Sequence, residues 1–250
     1  MDKLLKPGRI MFAMGMLALS ILCIVYKDFI IGRPPAWPEG MRVNPALAYI
    51  SAVVVIFAAM AILFKKQAGT AALLMAILIF LLSVLRHLPQ FTKDWVNAFK
   101  AMALFGGALI IAASFFSQNS YTAKNKSAVK YLVVTGTVFL SAFFIAAGYA
   151  HFKWAEGVQY LIPDYIPFRL FWTYFCGVCL FAGGTGLLIP QTRRWAALFT
   201  GIMILCWFLL LHIPRFLANT DDPSDRMGVC ESFVFSSVLF VLAGMTSKKR

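Results

Sequence analysis

Charge is scarce in this chain: 13% of its 250 residues are Asp, Glu, Lys or Arg, about half the share found in soluble domains. A water-exposed globular surface is thereby excluded. Acids are the rarer sign, ten against 23 Lys and Arg. No polar stretch is long enough to form a separate soluble domain, and no group of side chains makes a strong catalytic constellation. Histidine occurs three times and cysteine five times, with no clear third or fourth ligand to complete a metal site around a histidine pair.

Apolar sequence is what abounds, at 61% of residues and a mean hydropathy of +0.79. Runs of about 17–22 apolar residues recur, each long enough to cross a hydrocarbon core. They cover residues 10–26, 46–64, 69–86, 99–116, 130–150, 168–189, 194–212 and 230–246. The pattern predicts an all-α polytopic membrane protein with eight transmembrane helices. Lys3, Lys6 and Arg9 before the first run resemble the start of a signal peptide. Tyr26-Lys27-Asp28 after it lacks a small-residue cleavage site, so the run is expected to stay in place.

The net charge of +13 would point to nucleic acid in a soluble protein, but its distribution here argues against that. Lys3, Lys6, Arg9, Lys65, Lys66, Lys124, Lys126, Lys130, Arg193, Arg194, Lys248, Lys249 and Arg250 fall on one side of the predicted spans, with Asp2 as the single acid. The other side is close to neutral. This positive-inside pattern predicts a multi-pass protein of the cell inner (plasma) membrane with both termini cytoplasmic. The bilayer is then the first partner, with anionic lipid attracted to the basic face.

Residues 46–92 align without gaps onto 171–217, pairing Tyr49 with Tyr174 and Ala71-Ala72-Leu73 with Ala196-Ala197-Leu198. The chain therefore reads as a first four-helix repeat over 1–116, a cytoplasmic linker over 117–129 and a second four-helix repeat over 130–250. Four is even, so the two parallel, pseudo-symmetric repeats are expected to be related by an axis along the membrane normal. The long outer connections, 27–45, 87–98, 151–167 and 213–229, carry Trp37, Trp95, Trp154 and Pro-rich segments such as 33–38. Asn44-Pro45 reads as an N-cap with Pro at the first helical position. The outer face is the expected working surface.

The repeat also duplicates a histidine. His87-Leu88-Pro89-Gln90-Phe91 returns as His212-Ile213-Pro214-Arg215-Phe216, each copy closing an apolar run. Three readings follow: helix C-terminal capping, hydrogen bonds to a quinone carbonyl with Arg86 and Arg215 as cationic donors, or haem ligation, the weakest of the three. His151, matched by Tyr26, reads as interfacial. Allowing six extra residues in the last outer loop, Lys100 and Glu231 fall on matching positions in the fourth helices, and opposite charges there predict a salt bridge between the halves, with exposure at the interface or ligand contact as alternatives. Cys176-Gly177-Val178-Cys179 is a CxxC, either redox thiols or small apolar packing residues. No charged neighbour stands by to activate a thiolate, and Ser51-Ala52-Val53-Val54 fills the same place in the first copy.

The second half resembles the DoxX-like family of small integral membrane proteins. The resemblance rests on Gly148-Tyr149-Ala150-His151-Phe152, on Ile162-Pro163 and Pro167, on Tyr174 to Gly177, on Gly183-Gly184-Thr185-Gly186-Leu187-Leu188 and on Arg193-Arg194-Trp195-Ala196-Ala197. Such proteins are single four-helix units, so this chain looks like two of them fused. The resemblance implies a link to redox and sulfur metabolism, since the family includes proteins similar to subunits of thiosulfate:quinone oxidoreductase. A periplasmic or membrane redox partner would follow. One departure is Leu180, where many members carry a Glu shortly before the paired glycines; a carboxylate-dependent activity of that kind is not expected here. The expectation is a redox-associated membrane protein that binds a quinone or similar apolar ligand near the outer face through His87, His212, Arg86 and Arg215. A membrane scaffold holding a partner protein is the alternative, and a small-molecule transporter the third.

Overall fold

Eight helices long and apolar enough to span a membrane make up the fold, and among the described residues there is no strand. The computed structural model describes residues 2–27, 45–119 and 123–246. The Pro-rich segment 33–38, the proposed cap at Asn44 and the basic tail Lys248–Arg250 lie outside them. The long helices are α1 Leu5–Tyr26, α2 Pro45–Leu63, α3 Ala68–His87, α4 Trp95–Phe116, α5 Ala123–Lys153, α7 Arg169–Leu188, α8 Arg193–Trp207 and α10 Pro223–Met245. Short helices α6, Ala155–Gln159, and α9, Ile213–Ala218, lie in the connections.

All eight apolar runs became helices, but two boundaries differ from expectation. Helix α5 starts at Ala123, so much of the expected 117–129 linker is helical. Lys126 and Lys130 project there as exposed side chains, and a helix need not end where apolar residues give way to charged ones. Similarly, α10 begins at Pro223, within the expected loop 213–229. Asp222 caps it, its side chain accepting from the Ser224 and Asp225 N–H groups at 2.6 and 3.2 Å. Pro223 at the first helical position has no N–H to leave unbonded.

Neighbouring helices pack in sequence order, α1 on α2, α2 on α3 and α3 on α4, then α4 on α5, α5 on α7, α7 on α8 and α8 on α10. Helix α10 packs back on α1, and α10 also meets α4. Helices α4 and α10 thus form the middle of the bundle, with 67% and 83% of their apolar windows buried against 17–50% elsewhere. Small residues permit this. Gly106 faces Gly136 of α5 so closely that a Cβ on Gly106 would sit 2.7 Å from the Gly136 carbonyl oxygen. Close backbone approach is the main means of helix association where solvent gives no hydrophobic drive.

The peripheral helices expose apolar side chains. Ile50, Phe57, Leu74, Leu81, Phe171 and Phe199 are each more than half exposed. Water-soluble monomers rarely expose apolar surface on this scale. The turn between α7 and α8 is closed by Thr192 Oγ1 donating to the Gly186 carbonyl at 2.8 Å and Arg193 Nε to the Leu187 carbonyl at 2.8 Å. These donors answer the orphan carbonyls of the α7 C-terminus.

Candidate functional site

Helices α4, α7 and α10 begin at the end of the bundle where α5 and α8 finish, and a cavity of about 510 Å³ opens between these five. That volume lies in the range of small-molecule sites, roughly 300–1,000 Å³. Its walls are mainly aromatic. Trp95 and Trp154 stand with ring centroids 5.9 Å apart, and Trp172 meets Trp207 edge-on at 6.1 Å. Deeper, Phe143 stacks on Phe235 at 5.1 Å.

Polar groups converge on this aromatic lining. Lys100 from α4 and Glu231 from α10 both line the cavity, with Lys100 Nζ 2.7 Å from Glu231 Oε2. Their side chains are 16% and 4% exposed. Glu231 Oε1 has no hydrogen-bond partner among the described residues. A buried carboxylate oxygen left in this state costs free energy and is an acceptor for any ligand donor. His151 and His212 line the same cavity. His151 Nδ1 lies 2.8 Å from the Ala147 carbonyl. A carbonyl only accepts, so Nδ1 carries a proton, and in the neutral ring Nε2 is left as an acceptor.

The second histidine owes its place to a distorted helix. The sequence pattern ends both apolar runs at histidine, and in the first copy it does: α3 stops at His87, followed by a 3-10 turn over Leu88–Gln90. In the second, α8 passes into a π segment over Phe208–His212 and continues as α9. Pro214 is the physical reason. It lacks an N–H, and in an α-helix its ring would crowd the carbonyl four residues back, that of Leu210. The widened π turn relieves this, and the Tyr165 hydroxyl donates to the freed Leu210 carbonyl. His212 therefore lies inside a helical segment rather than capping its end. It packs directly over Gly228 of α10, where a Cβ would stand 2.7 Å from its Nδ1.

The expected set of His87, His212, Arg86 and Arg215 does not assemble around this cavity. Arg86 and His87 are buried on the last turn of α3 and are not among its lining residues; each is engaged in an interaction of its own. Arg215 instead clamps α9 to α10: its Nε and Nη2 donate to the two Asp225 carboxylate oxygens at 2.8 and 3.2 Å, and its Nη1 to the Leu161 carbonyl at 3.1 Å. His151, read from sequence as interfacial, takes the second histidine position. The signal that could have found it is its place less than one turn before Trp154, at an aromatic-rich helix end. Of the CxxC, Cys176 lines the cavity, as does Trp207. Cys179 does not line it, and both are free thiols. Among the described residues, no group of three His, Cys, Asp or Glu is arranged to hold a metal ion.

Residues 140–226 match a family described as a domain of unknown function (DUF8561). The matched segment contains both cavity histidines and the π segment, while Lys100 and Glu231 lie outside it. No curated protein and no solved structure matches the chain.

Proposed function

We propose that this chain is a redox-associated membrane protein whose aromatic cavity holds a quinone or similar apolar ligand bearing both hydrogen-bond donor and acceptor groups. The observation that carries the reading is the cavity itself: a buried Lys100–Glu231 pair with one carboxylate oxygen unbonded, and two imidazoles, all among tryptophans. A quinone carbonyl accepts hydrogen bonds from Lys100 or from an imidazole N–H. The hydroxyl of its reduced form donates to Glu231 Oε1 or to His151 Nε2. The ring stacks on the tryptophans, as planar π systems do at 4.5–7 Å or so. The redox link comes from the resemblance of the second half to DoxX-like proteins, and the electron source would be a periplasmic or membrane partner.

Membrane insertion is supported by the exposed apolar faces of the peripheral helices. The charge asymmetry supports cytoplasmic termini, which puts the cavity near the outer face. The packing order supports two parallel repeats: α1 packs on α10 as α5 packs on α4, each first helix against the other copy's fourth. On that axis, Lys100 and Glu231 are related positions that meet at the centre.

Protein purified in mild detergent is expected to give a quinone-type oxidised-minus-reduced difference spectrum. Replacing both His151 and His212 by Ala should lower it about ten-fold, the loss of one to two net hydrogen bonds. A featureless spectrum from pure wild-type protein would turn the reading towards a non-catalytic membrane scaffold.

A further inference from the structure

The opposite end of the bundle holds a second cavity, of about 670 Å³, between the start of α1, the turn from α2 to α3, and the end of α4. Its chemistry differs from the first. Lys6, Arg9 and Lys65 line it together with Gln67, Thr70 and Gln118, and no Asp or Glu is among its lining residues. Arg9 is the telling member, since it is 8% exposed and so sits inside the packed bundle. Among the described residues its hydrogen-bond partners are all neutral: Nε donates to Ser114 Oγ at 2.9 Å, Nη1 to Gln118 Oε1 at 3.4 Å and Nη2 to the Ser114 carbonyl. The Phe115 ring lies 3.9 Å from its guanidinium carbon.

A guanidinium has five N–H groups, and these contacts occupy three. Among the described residues no anion pairs with Arg9, a buried cation without an anionic partner is costly, and two further cations line the same space. The N-terminus of α3 adds to this. Ala68, Gly69 and Thr70 line the cavity, and Gln67 makes no side-chain cap bond, so the first N–H groups of a 20-residue helix stand at the cavity with the positive end of its dipole. The remaining walls are apolar: Leu5, Ile10, Ile62 and Leu63.

We infer that this cavity binds the phosphate group of an anionic phospholipid at the cytoplasmic face, with Arg9, Lys6, Lys65 and the α3 N-terminus as its donors. Phosphate is the anion that suits several convergent N–H donors. The apolar walls beside them favour a lipid over a free phosphate, because a glycerol backbone and the first acyl carbons can lie against them. The phosphate chemistry stands apart from the quinone reading, and the lipid source rests on the membrane-spanning one.

The test is native mass spectrometry of the full chain from neutral detergent micelles, titrated with phosphatidylglycerol, phosphatidylcholine and inorganic phosphate. Wild type should retain one phosphatidylglycerol about ten-fold or more tightly than phosphatidylcholine. Lys6→Gln with Lys65→Gln removes two exposed cations and leaves Arg9 in its packing, and should weaken phosphatidylglycerol about thirty-fold with phosphatidylcholine unchanged. The single variants, each expected to lose part of that effect, serve if the double variant does not fold. Inorganic phosphate displacing phosphatidylglycerol at millimolar concentration would overturn the lipid source in favour of a soluble phosphate. Equal retention of the two lipids, or unchanged binding in the variants, would overturn the site.

Discussion

Lys100→Ala should destabilise the bundle by about 3–5 kcal/mol, because it leaves Glu231 charged, buried and without its partner. Glu231 is 4% exposed, and only Oε2 is satisfied, by Lys100 at 2.7 Å. Glu231→Leu should cost less, since Lys100 is 16% exposed and its flexible stem lets the ammonium move towards polar surroundings. Lys100→Met with Glu231→Leu together should recover most of the loss, as apolar replacements of buried pairs commonly do. Thermal unfolding of the four proteins in one detergent measures the cycle. Additive single effects would mean that the two side chains do not act as a pair. The double variant also separates fold from site: it should fold and yet lose the ligand signal, because the cavity's only ion pair among the described residues is gone.

Gly136→Leu is the second large effect, at about 3 kcal/mol by overpacking. A Cβ at Gly136 meets the Gly106 carbonyl oxygen, and Ile110 Cγ1 at 2.7 Å. The side chain of Ile110 can turn aside, but a backbone carbonyl inside α4 cannot, so α4 and α5 must separate. Gly136→Ala makes the same contact with a smaller group, and its gain in helix propensity, up to about 1 kcal/mol, offsets part of the cost. Gly157 is the control: nothing lies within 4 Å of a Cβ there, and Gly157→Ala should be neutral or slightly stabilising. Equal melting temperatures for Gly136→Leu and wild type would show that the α4–α5 contact is not close-packed.

The eight helices were legible because a span of apolar residues is a one-dimensional signal. Their ends were less so. Hydropathy stops at Lys130, yet α5 runs back to Ala123, because a helix does not end where apolar residues do. The start of α10 carries a local signal in Asp222-Pro223, an N-cap followed by Pro, which the polar residues after it outweigh in a reading by hydropathy. For the site, alignment of the two halves put Lys100 opposite Glu231, and the two side chains meet. The same alignment paired His87 with His212, and of the two only His212 lines this cavity. Repeat symmetry relates positions; which helices enclose a cavity depends on packing between neighbours. The cavity lies on the α5–α7–α8 side, where His151 is available and His87 is not. The π turn was foreshadowed by Pro214, whose cost to the helix is local, but the hydroxyl that satisfies Leu210 comes from Tyr165, 45 residues earlier, and no local pattern records that.

On the function proposed here, the aromatic cavity is a ligand site for a quinone headgroup. Quenching of tryptophan fluorescence by a short-chain benzoquinone tests it most directly, since Trp95, Trp154, Trp172 and Trp207 all line the cavity. Ala147 lines it too, and Ala147→Phe fills space there while keeping the backbone carbonyl that His151 Nδ1 bonds to. Saturable quenching of wild type, weakened about ten-fold or more in Ala147→Phe at unchanged melting temperature, is the predicted result. Quenching that rises linearly without saturation, or that is equal in the two proteins, would contradict it.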